Sequence, residues 1–184
     1  MKEIKKSNKL KVLFISQAAM IAAIYVVVTL IAAPLSFGPI QLRFSEALTI
    51  LPFFTPAAIP GIFIGCLIAN LLGQAVILDV IFGSLASLIA AVITYSLRKK
   101  NKYFAPVAPI VVNALIIPFV IRYGYGVPDS IPFMMVTVGI GQILSAGVLG
   151  MLLFNVVEKH KHRIFKDLYA QPISEIDDIT TTHR

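Results

Sequence analysis

Residues 12–33 read VLFISQAAMIAAIYVVVTLIAA, an uncharged run of 22 residues. A helix rises about 1.5 Å per residue, so this run reaches about 33 Å, enough for a hydrocarbon core of about 30 Å. The apolar core of a signal peptide is only about 7–15 residues, and further apolar runs follow here, so the run reads as a retained first helix. Residues 77–97, 104–122 and 131–157 pass the same length test, the last with room for tilt. Of 184 residues, 58% are hydrophobic and 14% charged, too few charges to cover the surface of a soluble domain. The expected fold class is all-α, a polytopic membrane bundle of six transmembrane helices. A basic N-terminus (1–11) precedes the membrane domain (12–160), and a polar tail (161–184) follows it.

Between the first and second of these runs lies residues 43–73, with Pro52, Pro56 and Pro60. Its 31 residues are too few for two upright spans and a turn. Two short helices meeting at the prolines, or a re-entrant hairpin, are both open. Either returns the chain to the side it came from, so the topology does not depend on the choice.

Charge sets the orientation. The basic residues flank the apolar runs in blocks, and with both termini cytoplasmic 14 of the 16 Lys and Arg fall inside. Arg43 and Arg122 are the exceptions, at the outer ends of spans. The net charge of +7 therefore marks topology and attraction to anionic lipid, not nucleic-acid binding. The outer loops, 34–39 and 123–128, are rich in Pro, Gly and aromatics and suit a lid.

Polar groups at membrane depth are costly and are functional candidates by default. Here they are Gln41, Arg43, Glu46, Asn70, Gln74, Asp79, Asn113, Arg122, Gln142 and Asn155, and most fall in the outer half. That clustering describes a pocket opening outward rather than a pore, which needs polar groups at all depths. Each has a plainer reading. Arg43 and Glu46, three apart, can simply neutralise each other. Asp79 can cap the fourth span, and Arg122 can snorkel. Asn70 and Asn113 can join helices, while Tyr123 and Tyr125 can sit in the interfacial belt.

Small residues recur at four-residue spacing: Ala18 with Ala22, Ala19 with Ala23, Gly61 with Gly65 and Ala69, Ala146 with Gly150. Such stripes let helices approach closely, either within the bundle or against another membrane protein. Cys66 is the only cysteine, which rules out a disulfide framework or zinc cluster within one chain. His160 and His162 lie among lysines, a poor metal site. No phosphate-binding G-x4-GK[ST] loop, no H-E-x-x-H and no G-x-S-x-G occurs, so the chain does not read as an ATPase or as an enzyme. No cofactor or metal is expected.

The run Gly38-Pro39-Ile40-Gln41-Leu42-Arg43-Phe44-Ser45-Glu46-Ala47-Leu48, then Leu51-Pro52-Phe53-Phe54, resembles the QueT family. Gly61-Ile62-Phe63-Ile64-Gly65-Cys66, Ala69-Asn70-Leu71-Leu72-Gly73 and Asp79-Val80-Ile81-Phe82-Gly83-Ser84 extend the likeness, which runs from about Val12 to Lys161. The resemblance implies a substrate-binding S component of an energy-coupling-factor (ECF) transporter in a bacterial cell membrane. Such proteins capture a micronutrient near the outer face and dock on a membrane coupling subunit that carries two ATPases. The family's substrates are queuosine precursors, queuine or 7-aminomethyl-7-deazaguanine. The resemblance also implies that Ala18, Ala19, Ala22 and Ala23 face the coupling subunit.

A deazaguanine offers several N–H donors along one edge, and a carboxylate accepts two at once. Glu46 is the first candidate, then Asp79, with Arg43 as an orienting partner. Asn70, Asn113, Gln142 and Gln41 can meet the carbonyl and ring nitrogens. Phe37, Phe44, Tyr123 or Tyr125 can stack on the ring. The alternatives are an S component for another vitamin, a stand-alone secondary carrier and a membrane enzyme.

Overall fold

The computed structural model describes residues 2–33 and 43–164, where all regular structure is helical. Six helices follow in order: α1 is Lys2–Ile31, α2 Phe44–Phe53, α3 Ala58–Leu72, α4 Asp79–Lys99, α5 Val107–Gly124 and α6 residues 131–164. Four are long and apolar enough to cross a membrane: Leu10–Ile31 within α1, all of α4, α5 with its lead-in turn from Lys102, and Ile131–Lys161 within α6. Gln41, Phe37 and the tail from residue 165 lie outside the described residues. α1 runs back through the basic residues to Lys2, ahead of the spanning part that begins at Leu10.

Residues 43–73 form two short helices joined by a turn at 54–57. The first, α2, is a 3₁₀ helix; at about 2.0 Å per residue its 10 residues span about 20 Å. The 15 residues of α3 span about 22 Å at α-helical rise. Pro60 falls in the first turn of α3, where its missing N–H has no helical partner to lose.

The shortest helix occupies the middle. α2 packs on α1, α3, α4 and α6, and Ser45, Glu46, Leu48, Thr49, Ile50, Leu51 and Pro52 are all buried. A helix enclosed on every side belongs at the centre of a bundle. Its last turns join the apolar core with Ile62, Phe154 and Val157, where the Phe54 and Phe154 rings lie 4.6 Å apart. Its first turn carries the polar residues to the opposite end, the one away from both chain termini, called here the distal end.

α1 stands at the edge and leans on α3 and α2. Two glycines set that contact. A Cβ on Gly61 would lie 2.8 Å from the Ala18 carbonyl oxygen, and one on Gly65 2.8 Å from the Tyr25 Cβ. Gly150 plays the same part in α6, where a Cβ would meet Ile50 at 3.2 Å. These small-residue stripes serve packing within the bundle.

Two helices contain wide π turns, at Asp79–Gly83 in α4 and Ile143–Leu149 in α6. Such turns redirect side chains and recur at functional sites. One begins at Asp79 and the other directly follows Gln142.

Candidate functional site

Asp79 stands at the start of α4, and the bonds to its carboxylate seen among the described residues come from other side chains, not from the helix backbone. The carboxylate reaches across the distal end instead. Arg43, just before α2, donates to Asp79 Oδ2 at 2.7 Å, with side-chain exposures of 5% and 0%. The Tyr125 hydroxyl, just past α5, donates to the same oxygen at 3.0 Å. Asn70 of α3 donates through Nδ2 to the Asp79 carbonyl oxygen at 3.0 Å. One residue thus joins the distal ends of α2, α3, α4 and α5. Gly83 makes room for this: a Cβ there would collide with Asp79 Oδ1 and sit 3.2 Å from Asn70 Nδ2. Glycine at 83 therefore suits the position that the Asp79 carboxylate takes. Burial and the adjacent Asp79 carboxylate push the Tyr125 phenol up to about 12, so it remains a donor at neutral pH.

Glu46 lies one 3₁₀ turn deeper than Arg43, about 6 Å further into the bundle. It is 1% exposed. The Tyr25 hydroxyl of α1 donates to Glu46 Oε1 at 2.7 Å. Asn113 Nδ2 of α5 donates to Oε2 at 3.4 Å, a long contact. One turn above Tyr25, the Thr29 hydroxyl donates to Ser45 Oγ at 2.7 Å. Below, Ser87 and Asn70 approach the Cys66 sulfur at 3.5 and 3.8 Å.

Among the described residues, three buried acceptors have no hydrogen-bond partner: Asn70 Oδ1, Asp79 Oδ1 and Gln142 Oε1. A buried acceptor left unmade costs about 1–3 kcal/mol.

The residues read from the sequence divide accordingly. Arg43, Asn70 and Tyr125 are hydrogen-bonded to Asp79, Asn113 to Glu46, and Gln142 is buried. Arg43 is tied to Asp79 across helices rather than serving only as a near neighbour of Glu46. Phe44 is half-buried. Tyr123 is elsewhere: it is 70% exposed and lines an apolar groove of about 440 Å³ between α4 and α5, with Leu78, Phe82, Leu115 and Phe119. That groove is lined by none of the residues that contact the two carboxylates. Arg122 braces the following loop, donating to the carbonyls of Val127 at 3.3 Å and Asp129 at 3.1 Å. Gln41 lies outside the described residues.

A family model described as QueT transporter matches residues 15–159. This chain belongs to the QueT family. A curated relative named queuosine precursor transporter QueT, from Lactococcus lactis subsp. cremoris (strain MG1363), is 38% identical over 101 residues. That match covers 53% of this chain and 59% of the relative, less than two thirds of the relative's length. No solved structure matches the chain. A QueT-family chain with four helices of spanning length is a multi-pass membrane protein.

Within this QueT-family bundle, the sequence reading missed Tyr25, Thr29, Ser45 and Ser87. A signal for two of them exists. Ala18, Ala22, Tyr25 and Thr29 follow one another at four, three and four residues, so they share a helix face. The face is small where α1 presses on α3 and hydroxyl-bearing where it meets the polar cluster. The same periodicity divides the alanine pairs. Ala22 is buried and Ala18 half-buried where α1 meets α3. Ala19 and Ala23, one position on and so about 100° round the helix, are exposed.

Proposed function

We propose that this QueT-family chain is the S subunit of an ECF-type importer in a bacterial cell membrane. It captures a queuosine precursor, queuine or 7-aminomethyl-7-deazaguanine, from outside and docks on a coupling subunit that carries two ATPases. The single observation that carries the reading is the buried polar cluster at the distal end. It holds two carboxylates, Glu46 and Asp79, against one guanidinium, Arg43. A protonated amine on the ligand balances that charge, and buried charges persist only when paired. Family membership supports the substrate class, and the positive-inside asymmetry supports an external distal end.

In this reading Glu46 accepts N–H groups from the edge of the deazaguanine. Asp79 and Arg43 hold the wall of the site, with Asn70, Asn113 and Gln142 offering amides around the ring. Phe44 lies on the outer approach, and Gln41 remains a proposed ligand contact. Tyr125 closes the site by its bond to Asp79, and opening that contact admits the ligand. Tyr123, facing the apolar groove, takes no part. Coupling runs through the exposed face of α1 at Ala19 and Ala23. The chain supplies recognition and the ATPases supply energy, so no catalytic residue is assigned.

Mass spectrometry of the small molecule retained by the purified chain tests the substrate. A 7-deazaguanine is expected; a flavin, thiamine or folate instead would replace the substrate, and uptake by the chain alone in proteoliposomes would replace the transporter class. Ala19→Leu should leave ligand binding within about twofold but prevent co-purification with the coupling subunit and ATPases. An intact complex carrying that variant would remove Ala19 from the docking face.

A further inference from the structure

Among the described residues Tyr25 is the largest side chain with no exposure at all, and it belongs to α1, the helix at the edge of the bundle. A phenylalanine would fill the same space without a polar group to satisfy. A buried tyrosine hydroxyl needs a partner, and this one's partner is Glu46 Oε1 at 2.7 Å. The other oxygen, Oε2, is held only by the long 3.4 Å contact from Asn113. A carboxylate has about four acceptor positions, two on each oxygen. Tyr25 and Asn113 take one apiece, which leaves one on each oxygen for a ligand.

We infer that Tyr25 is a positioning residue for ligand recognition: by holding Oε1, it fixes the Glu46 carboxylate so that one acceptor site on each oxygen meets two N–H donors of the ligand. The inference rests on Glu46 being the group that reads the ligand, as proposed above. A glutamate has three side-chain torsions, and without the phenol its carboxylate is anchored only through Asn113. The rigid tyrosine is itself locked in place, because α1 lies so close to α3 that Gly65 has no room for a Cβ beside Tyr25. Anchored to packed backbone on one side and to Glu46 on the other, it converts the α1–α3 contact into a fixed carboxylate orientation.

The alternative is that Tyr25 only sets the register of α1 on α2, as Thr29 does through Ser45 one turn away. Calorimetric titration with 7-aminomethyl-7-deazaguanine distinguishes the two, using full-length wild type, Tyr25→Phe, Glu46→Gln, the double variant and Thr29→Val. Positioning predicts that Tyr25→Phe weakens binding about tenfold in the wild type but less than about twofold in the Glu46→Gln background, since coupled residues are non-additive. It also predicts that Thr29→Val binds within about twofold of wild type. Equal losses from Tyr25→Phe in both backgrounds, or an equal loss from Thr29→Val, would overturn it, as would wild-type affinity in Tyr25→Phe. A wild-type chain that binds neither this base nor queuine refutes the functional reading itself. Tight wild-type binding with additive losses refutes only the role of Tyr25.

Discussion

Asp79 and Glu46 are both buried carboxylates at the distal end, yet they are held by different chemistry. Asp79 has a full counter-charge in Arg43 at 2.7 Å and a phenol on the same oxygen. Glu46 is held by a phenol and a distant amide, both neutral. A carboxylate that carries its counter-charge on Oδ2 at an intersection of four helices is suited to fixing architecture, even with Oδ1 left without a partner among the described residues. A carboxylate whose partners are neutral can exchange them for a ligand without breaking an ion pair. The contrast separates the wall of the site from its reader, a division invisible from residue type alone.

The largest effect should come from breaking the wall. Asp79→Leu removes the carboxylate paired with the buried Arg43, and removal of one partner from a buried pair costs about 3–5 kcal/mol. Thermal melting in detergent should fall sharply, or the variant should fail to accumulate. Replacing both partners, Arg43→Met with Asp79→Leu, should recover much of the loss. If Asp79→Leu melts like wild type, Asp79 is no structural node and the division fails.

A smaller effect should follow from pushing on the reader's side alone. Gly65→Ala places a methyl group 2.8 Å from the Tyr25 Cβ and 3.1 Å from the Ala22 Cα. Overpacking of this kind costs about 1–3 kcal/mol. The displacement of α1 should move Tyr25 off Glu46 and lower ligand affinity, while Arg43 and Asp79 stay paired. Lost stability with undiminished affinity would show that α1 does not shape the reader.

The smallest effect is expected at Tyr125. Tyr125→Phe removes one of two donors from Asp79 Oδ2, and Arg43 retains that oxygen, so about 1 kcal/mol or less is expected. The raised phenol pKa gives the sign of its pH dependence. The folded chain favours the neutral phenol, so its contribution is complete below the ordinary value of 10 and lost as pH rises through about 12. Melting curves of wild type and variant should therefore keep a constant separation from about pH 6 to 9. A separation that vanishes within that window would contradict the hydrogen bond.

Much of this was legible in the sequence. Apolar run lengths gave the four long helices, and the rarity of charge at membrane depth singled out Arg43, Glu46 and Asp79. The pairing was not legible. Arg43 and Glu46 are three apart and suggest each other, whereas Arg43 reaches Asp79, 36 positions later, because α2 and α4 start at the same end of the bundle. Tyr25 was hidden for another reason. A tyrosine in an apolar run looks like any large core residue until its neighbour across the bundle is known. The alanine pairs look alike in sequence, and only the packing of α1 on α3 separates Ala18 and Ala22 from Ala19 and Ala23.

Titration of 7-aminomethyl-7-deazaguanine into purified wild type and Glu46→Gln tests the reader most directly. The amide keeps the shape of the carboxylate but loses its charge and one acceptor. The variant should fold and melt like wild type while its affinity falls at least about tenfold, equivalent to about 1.4 kcal/mol. Unchanged affinity in a folded Glu46→Gln chain would remove Glu46 from the site, and with it the distinction between reader and wall.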